Sequence, residues 1–255
     1  MTARLLVPLL ALALLAGCAT STGRGGATAA EEAARTNTQL GVYYLRQGNL
    51  SQAMVKLRKA LEQDSSYADA HMAMALVYER MNEPRRAEQR YRRAISLEPE
   101  NSEARNNFGR FLCGEDRLDE ALEQFRAAAA NPVYDRPALA LTNAGLCSRR
   151  AGELRQAEDF FLSALQTNGR FAPALLNMAE LRYANGEYLS ARGFYQRYLE
   201  VAAGQTPSSL WLGVRIETAL GNTDEAASYS LVLKSKYPES PQTRSLLDWE
   251  KDGRP

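Results

Sequence analysis

The sequence predicts an all-α solenoid of six helical hairpins, closed by a C-terminal capping helix. Three observations carry that expectation. A small residue recurs at a near-constant interval, a helix-spaced set of side chains follows it, and a turn-forming residue precedes it at a fixed offset. The recurring residues are Ala53, Ala87, Ala121, Ala157, Ala191 and Ala226, separated by 34, 34, 36, 34 and 35 positions. A period of this length is the signature of a stacked repeat, in which each unit buries its apolar face only against its neighbours.

Within each unit the second helix is marked by its spacing. Four residues after the alanine come Leu57, Tyr91, Phe125, Phe161, Tyr195 and Ser230. Seven after it come Ala60, Ala94, Ala128, Ala164, Tyr198 and Leu233. The i, i+4, i+7 pattern places all three on one helix face. The first helix carries its own contact point twelve residues before the alanine: Gly41, Ala75, Gly109, Gly145, Ala179 and Val214. Five of these six are small, so the two helices of a hairpin can approach closely, with the aromatic filling the space beside the contact. Between the helices stand Gly48, Asn82, Asp116, Gly152, Gly186 and Gly221. All are residue types that tolerate the left-handed conformation on which a helix commonly ends. Pro99 and Pro238 fall twelve residues after their alanines, where the second helix must stop. The two-residue insertion between Ala121 and Ala157 falls around Asn131 to Pro137. Ser240-Pro241 then opens a short helix with Leu246, Leu247 and Trp249, suited to cover the apolar edge of the sixth hairpin.

This combination resembles the tetratricopeptide repeat over residues 34–240. The resemblance implies a right-handed superhelical solenoid in which the first helices line a concave groove, a form that presents an extended binding surface. Residues 241–255 are then the capping helix and tail.

The start of the chain is of a different kind. Arg4 precedes an apolar run from Leu5 to Ala16 that ends in Leu15-Ala16-Gly17-Cys18. The run is too short to span a bilayer and reads as a secretory signal over residues 1–17. Leu-Ala-Gly-Cys resembles the bacterial lipobox, which implies lipidation of Cys18 after cleavage. Lasting attachment takes more than one acyl chain, and that lipoprotein class carries three. Ala19, rather than Asp, after the cysteine favours the outer membrane of a Gram-negative bacterium, again by resemblance. Residues 18–33 are rich in Gly, Ala, Ser and Thr and are expected to be a flexible tether.

Charge excludes more than it suggests. The chain holds 31 basic and 30 acidic residues, and loss of Arg4 with the leader makes them equal. Without a Lys/Arg block this is not the composition of a nucleic-acid binder. The only histidine, His71, lies in a helix without Cys or carboxylates at metal-ligand spacing. There is no phosphate-binding glycine loop and no nucleophile elbow. The expectation is a binding protein without catalytic residues, metal or cofactor, and His71 reads as a packing or groove residue.

Groove candidates follow from repeat register. Asn107, Asn143 and Asn177 each stand two residues before the contact point, where an amide can bond an extended peptide in two directions. The alternative is that these amides satisfy neighbouring helices. Arg80, Arg110, Arg149 and Arg150 lie nearby and are suited to carboxylates. A chaperone-type clamp for a C-terminal carboxylate needs Lys and Asn where Thr38 and Val42 stand, so that activity is not expected. Cys113 and Cys147 fall near the ends of first helices in neighbouring repeats. In an exported protein they are expected to form a disulfide, the alternative being two buried thiols.

Asn106-Asn107-Phe108-Gly109-Arg110-Phe111-Leu112-Cys113 and Ala226-Ala227-Ser228-Tyr229, with Leu233-Lys234 and Tyr237-Pro238, together with the lipobox and six repeats, are similar to the PilW/PilF family of type IV pilus biogenesis lipoproteins. The resemblance implies a pilotin-like scaffold, outer-membrane anchored with its repeats in the periplasm. Its partners would be the type IV pilus secretin and other pilus assembly proteins. Pilus formation and stability, twitching motility and adhesion would depend on it. A lipid-anchored adaptor for cell-wall hydrolases or for outer-membrane barrel assembly shares every bulk feature, and only the pilus-like wording separates the two.

Overall fold

A computed structural model of the protein describes residues 28–252. The signal at residues 1–17 and the lipidation site Cys18 lie outside the described residues. Thirteen α-helices, with no strand among the described residues, run in antiparallel pairs. These are α1 (Ala29–Arg46) with α2 (Leu50–Gln63), α3 (Ala68–Arg80) with α4 (Pro84–Leu97), and α5 (Ser102–Gly114) with α6 (Leu118–Ala130). The series continues with α7 (Pro137–Arg150) and α8 (Leu154–Thr167), α9 (Ala172–Ala184) and α10 (Tyr188–Val201), and α11 (Pro207–Ala219) and α12 (Thr223–Lys236). The last helix, α13 (Pro241–Lys251), stands alone.

The helix ends follow local chemistry. All six hairpin turns have positive φ, between 57° at Asn82 and 85° at Gly152. Asn82 and Asp116 take the left-handed conformation because their short polar side chains tolerate it better than other residues do. Side-chain oxygens of Asn49, Asn101, Thr206 and Ser240 cap free backbone N–H groups at the starts of their helices. Proline occupies the first turn of α4, α7, α9, α11 and α13, where its missing N–H leaves no bond unmade.

One expected boundary moves. Residues 29–33, assigned above to the tether, are helical. A reciprocal capping box between Thr28 and Glu31 starts α1 at Ala29. Alanine carries the best helix propensity, so a composition that reads as tether also makes a sound first turn once a cap is present. Ala34 is fully buried and ties that turn to the repeats.

The hairpin contacts explain the period. A Cβ placed on Gly41 would lie 2.6 Å from Leu57 Cγ; on Gly109, 2.8 Å from Phe125 Cε1; on Gly145, 2.5 Å from Phe161 Cε1. Leu57, Tyr91, Phe125, Phe161 and Tyr195 are buried completely or nearly so. Glycine on one helix is therefore the partner of a ring or Leu on the other. The inserted loop at 131–136 is tied back to α5 and to the residues just before it. Asn131 Nδ2 donates to Glu100 O at 2.9 Å, and Arg136 pairs with Glu103 at 2.5 Å.

Curvature follows from which helices meet. Each odd-numbered helix packs backbone to backbone on the next odd-numbered one along the whole array. Among the described residues the even-numbered helices instead keep their Cα atoms more than 8 Å apart. They meet only through long side chains, such as Arg92 with Glu120 and Tyr195 with Tyr229. The first helices crowd together and the second helices splay apart, so the solenoid bends with α1, α3, α5, α7, α9 and α11 on the inside. This is the right-handed tetratricopeptide superhelix, with α13 packed on α11 and α12 as its end cap.

Candidate protein-binding groove

The concave side is built by the registers that flank each contact point, although Thr38, Asn106 and Thr142 are buried beneath it. Three residues before it stand Thr38, Met72, Asn106, Thr142, Leu176 and Trp211. One residue after it stand Val42, Leu76, Arg110, Leu146, Glu180 and Arg215. At the α1 end these side chains border an open depression of about 650 Å³ with Arg35, Val42, Tyr43, Arg46 and Met72 along it. Tyr43 is 56% exposed and Leu40 39%. Large apolar side chains left in water beside basic ones are the surface type that a partner covers.

The three register asparagines bond within the protein. Asn107 Nδ2 lies 3.5 Å from Met72 Sδ and 3.4 Å from Glu103 Oε1. Asn143 Nδ2 donates to Asn106 Oδ1 at 2.9 Å, joining α7 to α5. Asn177 Nδ2 donates to Pro173 O, one turn back in its own helix, at 2.8 Å. Each amide nitrogen thus serves a neighbouring helix or its own backbone. Asn106, almost fully buried, is the acceptor that register reasoning overlooked.

The arginines divide. Arg80 and Arg110 are exposed on adjacent first helices and flank Glu79. Burial raises the Glu79 carboxyl above its usual range, while the Tyr91 hydroxyl that donates to it, and the two arginines, oppose that rise. The same burial and the same carboxylate push the Tyr91 phenol far up, so it stays a donor. Arg149 pairs with Glu180 across α7 and α9 at 2.7 Å. Arg150 lies at the hairpin edge rather than the groove centre, paired with the turn residue Asp116 at 2.9 Å.

Cys113 and Cys147 are disulfide-bonded, with Cα atoms 5.7 Å apart. They join α5 to α7 near the turn ends of both helices, beside Asp116, Leu118 and Arg150, between the two repeats that the inserted loop separates. His71 is buried with both ring nitrogens occupied. Nε2 lies 3.0 Å from Ser65 O and Nδ1 3.2 Å from Arg90 Nη1. A neutral ring that donates through Nε2 and accepts through Nδ1 fits both contacts. His71 therefore ties the α2–α3 loop to α4 and has no nitrogen left for chemistry.

Comparison with known proteins agrees with this architecture. The tetratricopeptide-repeat family pattern matches residues 41–82 and 72–135. The type IV pilus assembly protein PilF of Pseudomonas aeruginosa is 37% identical over 247 residues, covering 94% of this chain and 96% of PilF. The P. aeruginosa PilF structure superposes with a TM-score of 0.75 over 87% of this chain and 99% of that one. The crystal structure of PilW, described as a widely conserved type IV pilus biogenesis factor, is 30% identical. It superposes with a TM-score of 0.73 over 84% of this chain and 98% of PilW.

Proposed function

The chain belongs to the PilF/PilW family of tetratricopeptide-repeat proteins of type IV pilus biogenesis, and from that premise we propose a specific role for it. It is a lipid-anchored outer-membrane scaffold that binds the pilus secretin, promotes its localisation and oligomerisation, and so supports pilus assembly and stability. The observation that carries this reading is the open, aromatic-lined end of the concave face on α1, immediately downstream of the lipobox. Thr28 caps α1 ten residues on from Cys18. An extended segment of that length reaches at most about 35 Å. Lipidation at Cys18 would therefore keep the α1 end of the groove close to the membrane in which a secretin ring assembles. Confinement raises effective concentration without any new contact. The activity is recognition, with no bond made or broken.

The test is the oligomeric state of the secretin on a non-denaturing membrane blot. Deletion of this gene is expected to abolish the high-mass ring, and wild type but not Cys18→Ser is expected to restore it. Rings unchanged in the deletion strain would overturn the secretin role and leave a lipid-anchored adaptor with another envelope partner.

A further inference from the structure

Arg215 stands in the same groove register as Arg110, but at the opposite end from Tyr43. Its guanidinium carbon lies 4.8 Å from the centroid of the Tyr183 ring on α9 and 5.6 Å from that of Trp211, one turn back on α11. Trp211 is itself held edge-on against Trp249 of the capping helix, centroids 5.7 Å apart. Rings from two helices thus flank the guanidinium, a setting that arginine favours.

The charge is left without an acceptor. Among the described residues Arg215 has no ion pair, and its buried Nε meets no hydrogen-bond partner. Other arginines nearby are matched: Arg149 to Glu180, Arg182 to Glu158 and Glu187, Arg192 to Glu217. Arg215 borders an open cavity of about 430 Å³ that it shares with Arg149, Glu180, Leu154 and Leu181. Since Arg149 and Glu180 offset each other there, the cavity carries the single positive charge of Arg215.

We propose that this guanidinium is a recognition site for one acidic side chain of an extended partner polypeptide. A planar fork seated between aromatic rings suits a carboxylate, which it can bind through two parallel N–H donors. One positive charge matches a monoanion, whereas a phosphate dianion would leave a negative charge beside Glu180. Leu154 and Leu181 provide an apolar wall for the methylenes of a glutamate. The inference rests on the concave face being the partner-binding surface, and holds whether or not that partner is the secretin.

Trp211 and Trp249 are the two tryptophans of the chain, so the indole N–H resonances of the full-length protein in detergent, labelled with 15N-tryptophan, report on this site directly. Titration with N-acetylated, C-amidated hexaglutamate is expected to move the Trp211 resonance saturably, and hexaglutamine is not. Arg215→Gln is expected to weaken binding at least tenfold. Arg215→Lys, which keeps the charge and loses the fork, is expected to weaken it about threefold with the helical circular dichroism of wild type. A Trp211 resonance that stays fixed, an equal response to hexaglutamine, or wild-type affinity in the lysine and glutamine variants would overturn the proposal. An equal, saturable response to inorganic phosphate would overturn it too, in favour of a small-anion site. Secretin rings in an Arg215→Gln strain separate the two ideas: failure of the titration leaves the ring assay untouched, and loss of rings on gene deletion says nothing of Arg215.

Discussion

In the first, third and fourth hairpins a glycine on the inner helix faces a large side chain on the outer one: Gly41 and Leu57, Gly109 and Phe125, Gly145 and Phe161. The sixth hairpin reverses the sizes, with Val214 inside and Ser230 outside. Its close-contact glycine shifts by one position, so that Gly213 meets Tyr195 of the preceding hairpin instead. The consequences differ. One continuous apolar core runs from Leu45 through the first three hairpins to Phe160 of the fourth, reinforced by the Cys113–Cys147 bond, while Ala157 and Phe161 of the fourth hairpin pack on Met178 of the fifth. The fifth hairpin shares a separate core with one face of α11, and the sixth hairpin shares another with the cap. Where Ser230 replaces an aromatic, a cavity of about 490 Å³ opens among α11, α12 and α13. Size on one helix thus goes with smallness on the other, and where the outer side chain is short, as at Ser230, space is left beside the cap.

The largest effect expected from breaking this contrast is at the disulfide. Cys113 and Cys147 are 34 residues apart, and the entropy of closing such a loop is worth about 3–4 kcal/mol. Cys113→Ser with Cys147→Ser should lower the urea midpoint by that equivalent, and reductant should do the same to wild type. Loss of less than about 1 kcal/mol would mean that core continuity, not the crosslink, secures the first four hairpins.

Next in size is Gly145→Ala. Its new Cβ would meet the fully buried Phe161 ring at 2.5 Å. Overpacking of this kind costs about 1–3 kcal/mol, partly offset by about 1 kcal/mol of helix propensity. Thermal unfolding should show a net loss. Ser230→Leu should act in the opposite direction, stabilising by up to about 1 kcal/mol as it enters the existing cavity, since each buried methylene contributes about 0.8 kcal/mol. A destabilised Ser230→Leu would show that the hydroxyl's bond to Ala226 O, at 2.8 Å, outweighs the empty volume.

The smallest effect concerns His71, in the continuous core region. Burial depresses its imidazole below the ordinary value, Arg90 and Arg93 add to this, and the Ser65 carbonyl and Asp64 oppose it. The unfolded chain then binds more protons than the folded one as pH falls through the ordinary histidine value near 6.5. Stability from this group is complete above about pH 7 and declines on acidification, with a slope no steeper than about 1.4 kcal/mol per pH unit. Urea midpoints between pH 7.5 and 5.5 should slope less in His71→Gln than in wild type.

Period, hairpin turns, helix contact points and the end cap were all legible in the sequence, because each depends on residues within about one repeat of one another. Backbone conformation at Gly48 or Asn82 and the helix face shared by Ala157 and Phe161 are local properties of spacing and side-chain shape. The start of α1 is local too, since it is set by the Thr28–Glu31 capping box and not by the Ala-rich composition that reads as a tether. The groove was legible only as a register. Which partners the amides take, that Arg149 is matched by Glu180 while Arg215 meets no carboxylate among the described residues, and that Tyr183 and Trp211 converge on one guanidinium are decided between helices about thirty residues apart. Those distances follow from how tightly successive inner helices crowd, a property of the whole superhelix that no single repeat encodes.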